Sequence, residues 1–391
     1  MNQTHMTTTR MTGVVAALAL SLAACGSGPG GGGDAAEASG GAEPAEGGSA
    51  LSQEAAVEEI DAIAAQLEAG ELEYDVSAET DPTIDALREL IPQPDGYPSR
   101  TVEMIVGFGE GGGSDQYARN IAIDAARIMG QDIIINNVPG ASGEVALGQM
   151  FSGPSDGYSV STVITNQVIN DAIGQQPYSF VDDVQFVIRQ QGPTEVYWVP
   201  TDSQFTDFQS MLDFAVENPG QVTVSGSGPG GDDEFRLLAL GSELDTSFNF
   251  VPYDGVGGRT TALLSGDIDV LHETAGTMID LYEDGQIRPL AYGGDIVFDA
   301  IDADIPSVAD LGYPVPTGRW RGIVVPQEVD PEIADYLHHV FYAAAQLPSY
   351  KDYEVEFFQD VAGGYLNSEE FEAAAREEKE ELVVLVEEFG L

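Results

Sequence analysis

The stretch 102-VEMIVGFGEGGGSDQYARN-120 places an apolar run of strand character, a glycine cluster and a helical pattern in direct succession. Three consecutive glycines, Gly111–Gly113, allow backbone N–H groups to point into one space, and the first turn of a helix adds about half a positive charge there. The stretch is therefore typical of a strand–loop–helix unit that binds an anion through its backbone.

This stretch resembles two well-known phosphate-binding loops, but the sequence lacks a residue that each of them requires. Gly107, Gly109 and Gly112 match the G-x-G-x-x-G spacing of a dinucleotide loop, which also needs an acidic residue at the end of the next strand. That strand ends in 136-NNVP-139, without an acid, and no lysine is near for a P-loop. The glycines could also form only a tight turn, for which one glycine would suffice. The sequence favours an anion other than a nucleotide phosphate.

The N-terminus has the pattern of an export signal. Arg10 precedes the apolar run Val14–Leu22, which is too short to span a bilayer, and small residues then lead to Cys25, the only cysteine. This arrangement resembles a bacterial lipobox; an ordinary signal peptide with a chance cysteine is the alternative. We expect residues 1–24 to be a lipoprotein signal peptide with Cys25 lipidated, and residues 25–50, rich in glycine, alanine, serine and glutamate, to be a flexible tether.

The charge of the chain excludes several partners. It has 66 acidic against 14 basic residues, a formal net charge of −52. Such a surface repels nucleic acid and anionic lipid headgroups, so we expect no nucleic-acid partner. Adaptation to a salty medium, in which this repulsion is screened, is our interpretation of the acidity.

Strands and helices alternate from about residue 100, after an acidic helical prologue over residues 51–99. This alternation predicts mostly parallel sheets covered by helices. Glycine-rich loops follow the strands again at 139-PGASG-143 and 225-SGSGPGG-231, and open parallel sheets bind ligands at the carboxyl ends of their strands. We therefore expect these loops to line one pocket between two lobes.

An ordered set of motifs resembles the substrate-binding proteins of tripartite tricarboxylate transporters, the TctC or Bug family. Each motif is weak alone, but their order and spacing over about residues 100–380 are specific. They are VEMIVGFGEGGGSDQYAR, NNVPGASGEVALGQM, GPSDGYSV, VSGSGPGG, VPYDGVGGRTTALLSGDIDVL, DGQIRPLAYGG and DIPSVADLGYP.

The resemblance implies an α/β periplasmic-binding-protein fold of type II, in which two lobes close on a ligand. Lobe 1 would contain residues 100–197 plus 322–391, and lobe 2 residues 198–321. The crossovers would lie near Tyr197–Pro200 and Gly318–Gly322. A monomer without cofactor or metal is expected.

The family binds small carboxylates, with backbone amides of the first glycine loop gripping the carboxylate. Carried over to this chain, the expected ligand-binding residues are Phe108, Gly109, Gly111, Gly112, Gly113, Ser114, Asp115, Ser142, Asn166, Ser225, Gly226, Ser227, Gly228, Tyr253 and Arg321.

The chain departs from the family at several charged positions. Glu110 and Asp232–Glu234 would oppose an anionic ligand unless they point away, or would favour a ligand that carries a cation; helix capping is the simpler alternative. Arg319 and Arg321 could meet a second ligand carboxylate with their planar forks, or could pair with the surrounding acids. We expect Trp320, between them, to pack at a hinge.

No catalytic motif supports an enzyme: H-E-x-x-H and G-x-S-x-G are absent, and His272–Glu273 is at most a ligand contact. We expect a lipid-anchored extracytoplasmic receptor. It would capture a di- or tricarboxylate or an aromatic acid and deliver it to the membrane permease of a tripartite tricarboxylate transporter. A sensor or scavenger lipoprotein without a transporter is the alternative, followed by an exported hydrolase.

Overall fold

The computed structural model describes residues 53–389, except positions 175, 254, 295–300, 303, 316–317 and 362. The expected signal peptide, the lipidated Cys25 and the tether lie outside the described residues. Within them, none of the helices is long and apolar enough to cross a membrane.

The chain begins with two prologue helices and then builds the first sheet. The prologue contains α1 (Gln53–Glu68) and α2 (Pro82–Leu90). The elements that follow are β1 (Val102–Val106), α3 (Gly113–Met129), β2 (Ile133–Asn137), a short 3-10 turn (Ala141–Gly143), α4 (Glu144–Ser152), β3 (Ser159–Ile164), α5 (Thr165–Ile173), α6 (Phe180–Asp183) and β4 (Val184–Gln191).

The chain then crosses to the second sheet and later returns. The second sheet and its helices are β5 (Glu195–Pro200), α7 (Phe208–Glu217), β6 (Thr223–Ser225), α8 (Asp232–Glu243), β7 (Asn249–Phe250), α9 (Val256–Ser265), β8 (Val270–Thr274), α10 (Ala275–Glu283) and β9 (Ile287–Tyr292). The returning part is β10 (Arg321–Pro326), α11 (Pro331–Ala345), α12 (Pro348–Glu356) and α13 (Ser368–Phe389).

Two five-stranded sheets confirm the expected two-lobe α/β fold. Their strand orders are β2-β1-β3-β10-β4 and β7-β6-β8-β5-β9. β1 pairs in parallel with β2 and β3, whereas β10 is antiparallel to β3 and β4, and β5 is antiparallel to β8 and β9. Each sheet is therefore mixed, because the first strand after each crossover runs against its neighbours.

The first crossover lies earlier than the sequence suggested. The apolar run of β5 already pairs with β8 and β9 from Glu195 and Val196 onward, so residues 192–194 connect the lobes rather than Tyr197–Pro200. The second crossover ends at Arg321, the first residue of β10, close to the predicted place.

The prologue packs on the first lobe. Ile60, Ile84 and Leu87 are buried in the core that α3 and α11 share with the first sheet. Tyr342 on α11 also donates a hydrogen bond to Asp61 on α1 at 2.7 Å. Burial of these apolar side chains ties residues 53–91 to lobe 1.

Candidate functional site

A cavity of about 290 Å³ lies where the strand ends of the two sheets face each other. Its walls are the loops after β1 and β2 from the first lobe, the loop after β6 and the start of α9 from the second, and Arg319 and Arg321. Ten of the residues expected from the sequence line it: Phe108, Gly109, Gly112, Gly113, Ser114, Ser142, Ser227, Gly228, Tyr253 and Arg321.

The start of α3 faces this cavity without a capping side chain. Gly112 is the N-cap residue and provides no side chain, so the first N–H groups of the helix are left for another acceptor. Ser114 is buried and lines the cavity, and its hydroxyl forms no hydrogen bond with any residue of the described chain. This end of the helix is therefore suited to an anion.

Gly111 and Asp115 were expected in the cavity wall but do not line the cavity. Asp115 Oδ2 accepts hydrogen bonds from Gly111 N and from Arg119 Nε, each at 2.9 Å. Burial opposes the charge of Asp115, but these hydrogen bonds outweigh it and lower the pKa of its carboxyl. The two residues fix the shape of the loop, and the exposed Glu110 does not line the cavity.

Arg321 brings a buried positive charge to the same place. Only 2% of the residue is exposed, and Nη1 donates to Gln191 Oε1 at 3.1 Å and to Gln359 Oε1 at 2.6 Å. Within the described ranges it has no carboxylate in ion-pair distance, and burial lowers the pKa of its guanidinium. Nη2 lies so close to Gly113 that a methyl group on that residue would overlap it.

Arg321 and the start of α3 thus face the same part of the cavity. The sequence had suggested that Arg319 and Arg321 could meet a second ligand carboxylate. The position of Arg321 against Gly113 places it beside the first glycine loop.

Arg319 has the opposite environment. Its Nη2 lies 2.8 Å from Glu195 Oε1, 2.7 Å from Asp232 Oδ1 and 3.2 Å from Asp233 Oδ2. Burial opposes the charge, but Asp232 and Glu195 raise the pKa of Arg319 well above its ordinary value. The acids at the start of α8 are therefore paired internally, and the remaining one, Glu234, accepts a hydrogen bond from Gly230 N at 2.8 Å.

Ser227, Asp233 and His272 lie together but lack the order of a nucleophilic triad. Ser227 Oγ donates to Asp233 Oδ2 at 2.6 Å, and His272 Nδ1 lies 2.6 Å from Asp233 Oδ1. Serine and histidine share the carboxylate instead of contacting each other, so the imidazole of His272 is not placed to activate the hydroxyl of Ser227. Glu195, Asp233 and His272 are close enough to hold a metal ion, but the guanidinium of Arg319 already contacts both carboxylates.

Two of the expected ligand residues connect the lobes. Ser142 Oγ donates to Pro229 O at 2.5 Å, and Asn166 Oδ1 accepts a hydrogen bond from Asp232 N at 3.1 Å. Ser142 also lines the cavity, whereas Asn166 does not. We call these two hydrogen bonds the inter-lobe contact.

Ser225 and Gly226 also lie outside the cavity wall, contrary to expectation. Ser225 is fully buried in β6. Gly226 packs so tightly on Asp233 that a side chain there would overlap this carboxylate. Both residues support the loop that carries Ser227 and Gly228.

Sequence reasoning missed the wall formed by α9. Arg259 and Glu273 line the cavity as a pair, with Arg259 Nε 2.9 Å from Glu273 Oε2. Gly255 begins α9 without a capping side chain and also lines the cavity. The stretch 252-PYDGVGGR-259 has the glycine-rich loop before a helix that marked the other walls, and that signal could have revealed it.

The comparison with family models decides the relationship. The model described as "Tripartite tricarboxylate transporter family receptor" matches residues 117–391. This chain belongs to that family. The receptor is similar to the "UPF0065 protein in gbd 5'region" of Cupriavidus necator, with 28% identity over 302 residues, 76% of this chain and 90% of the relative.

Two solved structures show the same fold. A Rhodopseudomonas palustris protein with adipate has a TM-score of 0.69 at 22% identity and covers 75% of the receptor and 98% of its own chain. MatC from the same organism, with bound malate, has a TM-score of 0.66 at 20% identity and covers 74% and 100%. Because these structures are matched almost completely, about a quarter of the receptor has no counterpart in them.

Proposed function

We propose that the receptor captures a small organic carboxylate outside the cytoplasm and delivers it to the membrane permease of a tripartite tricarboxylate transporter. Family membership supports the receptor role. The adipate and malate in the two structural neighbours support a carboxylate as the ligand. A lipid on Cys25 would hold the protein at the membrane, and we expect it to act as a monomer.

The observation that carries this proposal is the environment of Arg321. A guanidinium that is 98% buried and has no carboxylate partner among the described residues is costly for the unliganded protein. A ligand carboxylate would supply the missing partner in bidentate geometry. The uncapped N–H groups of α3 and the hydroxyl of Ser114 lie beside it and would bind the same carboxylate.

Closure of the lobes would couple binding to transport. The ligand would contact the loop of α3 on one lobe and the start of α9 on the other, so it stabilises the closed arrangement. The inter-lobe contact of Ser142 and Asn166 adds two hydrogen bonds at the rim. The permease would then recognise the closed surface.

A sensor or scavenger without a transporter would use the same cleft and the same closure. An exported hydrolase is less well supported, because Ser227 and His272 are both directed to Asp233. These two alternatives differ from the transport receptor in what binds the closed form and in whether the ligand is changed.

The experiment is a thermal-shift screen of residues 51–391 in molar salt. The ligands are straight-chain mono- and dicarboxylates of three to eight carbons, citrate and benzoates, each compared with its neutral amide. A carboxylate at 100 times its dissociation constant should add about 2.7 kcal/mol of stability, and its amide should add none. Stabilisation by amides alone, or by no compound, would contradict carboxylate capture, and release of a cleaved product would favour the hydrolase.

A further inference from the structure

The two walls of the cleft differ in their charge balance. The lobe-1 wall is formed by the loop before α3 and Arg321, and this arginine has no carboxylate partner among the described residues. The lobe-2 wall is formed by Arg259, Glu273 and Arg319 together with the buried charges directly behind them. We expect the net charge of the lobe-2 wall to affect monocarboxylates and dicarboxylates differently.

Every guanidinium of the lobe-2 wall already contacts a carboxylate. Arg259 pairs with Glu273, and Arg319 contacts Glu195 along with two acids of α8. Arg236, behind the wall, lies with Nη2 3.3 Å from Glu195 Oε2. Burial opposes the ionisation of Glu273, but Arg259 and Arg319 outweigh it and lower the pKa of that carboxyl.

Among the described residues, the wall has four carboxylates against three guanidiniums. The carboxylates are Glu195, Asp232, Asp233 and Glu273, and the guanidiniums are Arg236, Arg259 and Arg319. Burial raises the pKa of Glu195, whereas the guanidinium of Arg319 opposes this rise. With all four carboxylates ionised, the sum is −1 with a neutral His272 and zero with a protonated one. In neither of these states do the side chains of the lobe-2 wall have a surplus of positive charge.

We propose that the receptor selects acids with a single carboxylate and an otherwise uncharged body, and discriminates against dicarboxylates of the same length. This inference rests on the proposed function. One carboxylate neutralises Arg321. A second one would lose its hydration against a wall whose side chains have no cationic surplus, where only the uncapped start of α9 could replace part of the water. Juxtaposed like charges would also oppose its binding.

The rest of the cavity suits an uncharged body. Phe108, Pro139, Ile164, Pro252 and Val256 supply apolar lining. On the lobe-2 wall, Arg259 uses Nε and Nη2 on Glu273, and within the described chain its Nη1 has no hydrogen-bond partner. That nitrogen can donate to a neutral acceptor such as a hydroxyl or carbonyl.

Length-matched pairs test this selection by isothermal titration calorimetry. The pairs are hexanoate and 6-hydroxyhexanoate against adipate, and 4-hydroxybenzoate against terephthalate, with the straight-chain acids of three to eight carbons as a wider panel. We expect the monocarboxylates of the best-binding length to bind at least about tenfold tighter than the matching dicarboxylate. A dicarboxylate that binds as tightly or tighter would overturn the inference and leave the proposed function intact. Absence of binding by all acids would contradict both.

Substitutions that change one charge identify the cause. Glu273→Gln removes a carboxylate from the lobe-2 wall and should shift the ratio of affinities at least about fivefold towards the dicarboxylate. Glu110→Gln is the matched control, because it removes an exposed acid outside the cavity and should leave the ratio unchanged. If Glu273→Gln does not fold, Glu195→Gln also replaces a carboxylate of the lobe-2 wall by an amide, at a position that does not line the cavity. An unchanged ratio in a folded variant would overturn the role of the wall.

Discussion

Arg319 and Arg321 lie on the two walls of the cleft and have opposite electrostatic environments. On the lobe-2 wall, Arg319 is enclosed by carboxylates, and their charges raise its pKa. On the lobe-1 wall, Arg321 donates hydrogen bonds to the neutral amides of Gln191 and Gln359, and burial lowers its pKa. One residue, Trp320, separates these two arginines in the sequence. Arg319 belongs to an internal charge network, whereas Arg321 has no carboxylate partner among the described residues.

Burial and charge therefore do not identify a binding residue by themselves. Both arginines are more than 90% buried and both line the cavity. The difference lies in whether the protein supplies the counter-charge. A buried charge whose partner is missing destabilises the fold, and a ligand that provides the partner gains binding free energy from that deficit.

The largest effect is expected from Arg319→Met. The substitution leaves Glu195, Asp232 and Asp233 buried without their shared cation, which should lower the free energy of unfolding by about 3–5 kcal/mol. Urea unfolding at neutral pH measures this, with Arg321→Met as the matched control. A loss below about 1 kcal/mol would mean that the lobe-2 wall does not depend on Arg319.

A pH titration tests the segment between the two arginines. Trp320 Nε1 donates to Glu378 Oε2 at 2.9 Å, and burial raises the pKa of Glu378 to about 7. Because the folded state holds this proton more tightly than the unfolded state, stability should fall as pH rises from about 4.5 to 7. Glu378→Gln keeps an acceptor for Trp320 and should remove up to about 3 kcal/mol of this fall. Identical slopes in both proteins would show that Glu378 is not the group that titrates.

A substitution that changes no charge can disturb the lobe-1 wall by moving the guanidinium of Arg321. Gly113→Ala places a methyl group on the position of Arg321 Nη2, so the guanidinium must move and affinity should fall about tenfold or more. Gly148→Ala in α4 is the matched control, since Gly148 does not line the cavity and its added methyl group would have no atom within 4 Å. If calorimetry showed equal losses of affinity in the two variants, the effect of Gly113→Ala could not be attributed to Arg321.

The smallest effect is expected at the rim. Ser142→Ala removes the hydrogen bond to Pro229, which should weaken closure by about 1 kcal/mol. If the hydroxyl acts between the lobes, every ligand should lose affinity by the same factor. If only some ligands lost affinity, Ser142 would instead be assigned to direct contact with the ligand.

The fold could be predicted from the sequence because the patterns that indicate it lie in neighbouring residues. The end of β1, the glycine cluster and the start of α3 appear in consecutive residues, and the motif order fixed the family. The crossover was misplaced because the run 195-EVYWVP-200 reads as a strand in either lobe, and only pairing with β8 and β9 assigns it to the second.

The site was predictable only where the backbone decides the chemistry. Ten of the fifteen expected residues line the cavity, and most of them belong to glycine-rich loops. The sequence could not show that Asn166 and Ser142 bond across the lobes, because their partners lie 66 and 87 residues away. It could not separate Arg319 from Arg321 either, since the acids that distinguish them come from β5 and α8.

The most direct test of the central claim is a paired measurement on Arg321→Met. Calorimetry with a carboxylate that stabilises the wild type gives the change in affinity, and urea unfolding of the unliganded protein gives the change in stability. We predict a loss of affinity of about a hundredfold or more together with equal or greater stability, because a buried unpaired charge has been removed. Affinity within about threefold of the wild type, or a variant that loses stability as Arg319→Met does, would contradict the assignment of Arg321 to the ligand.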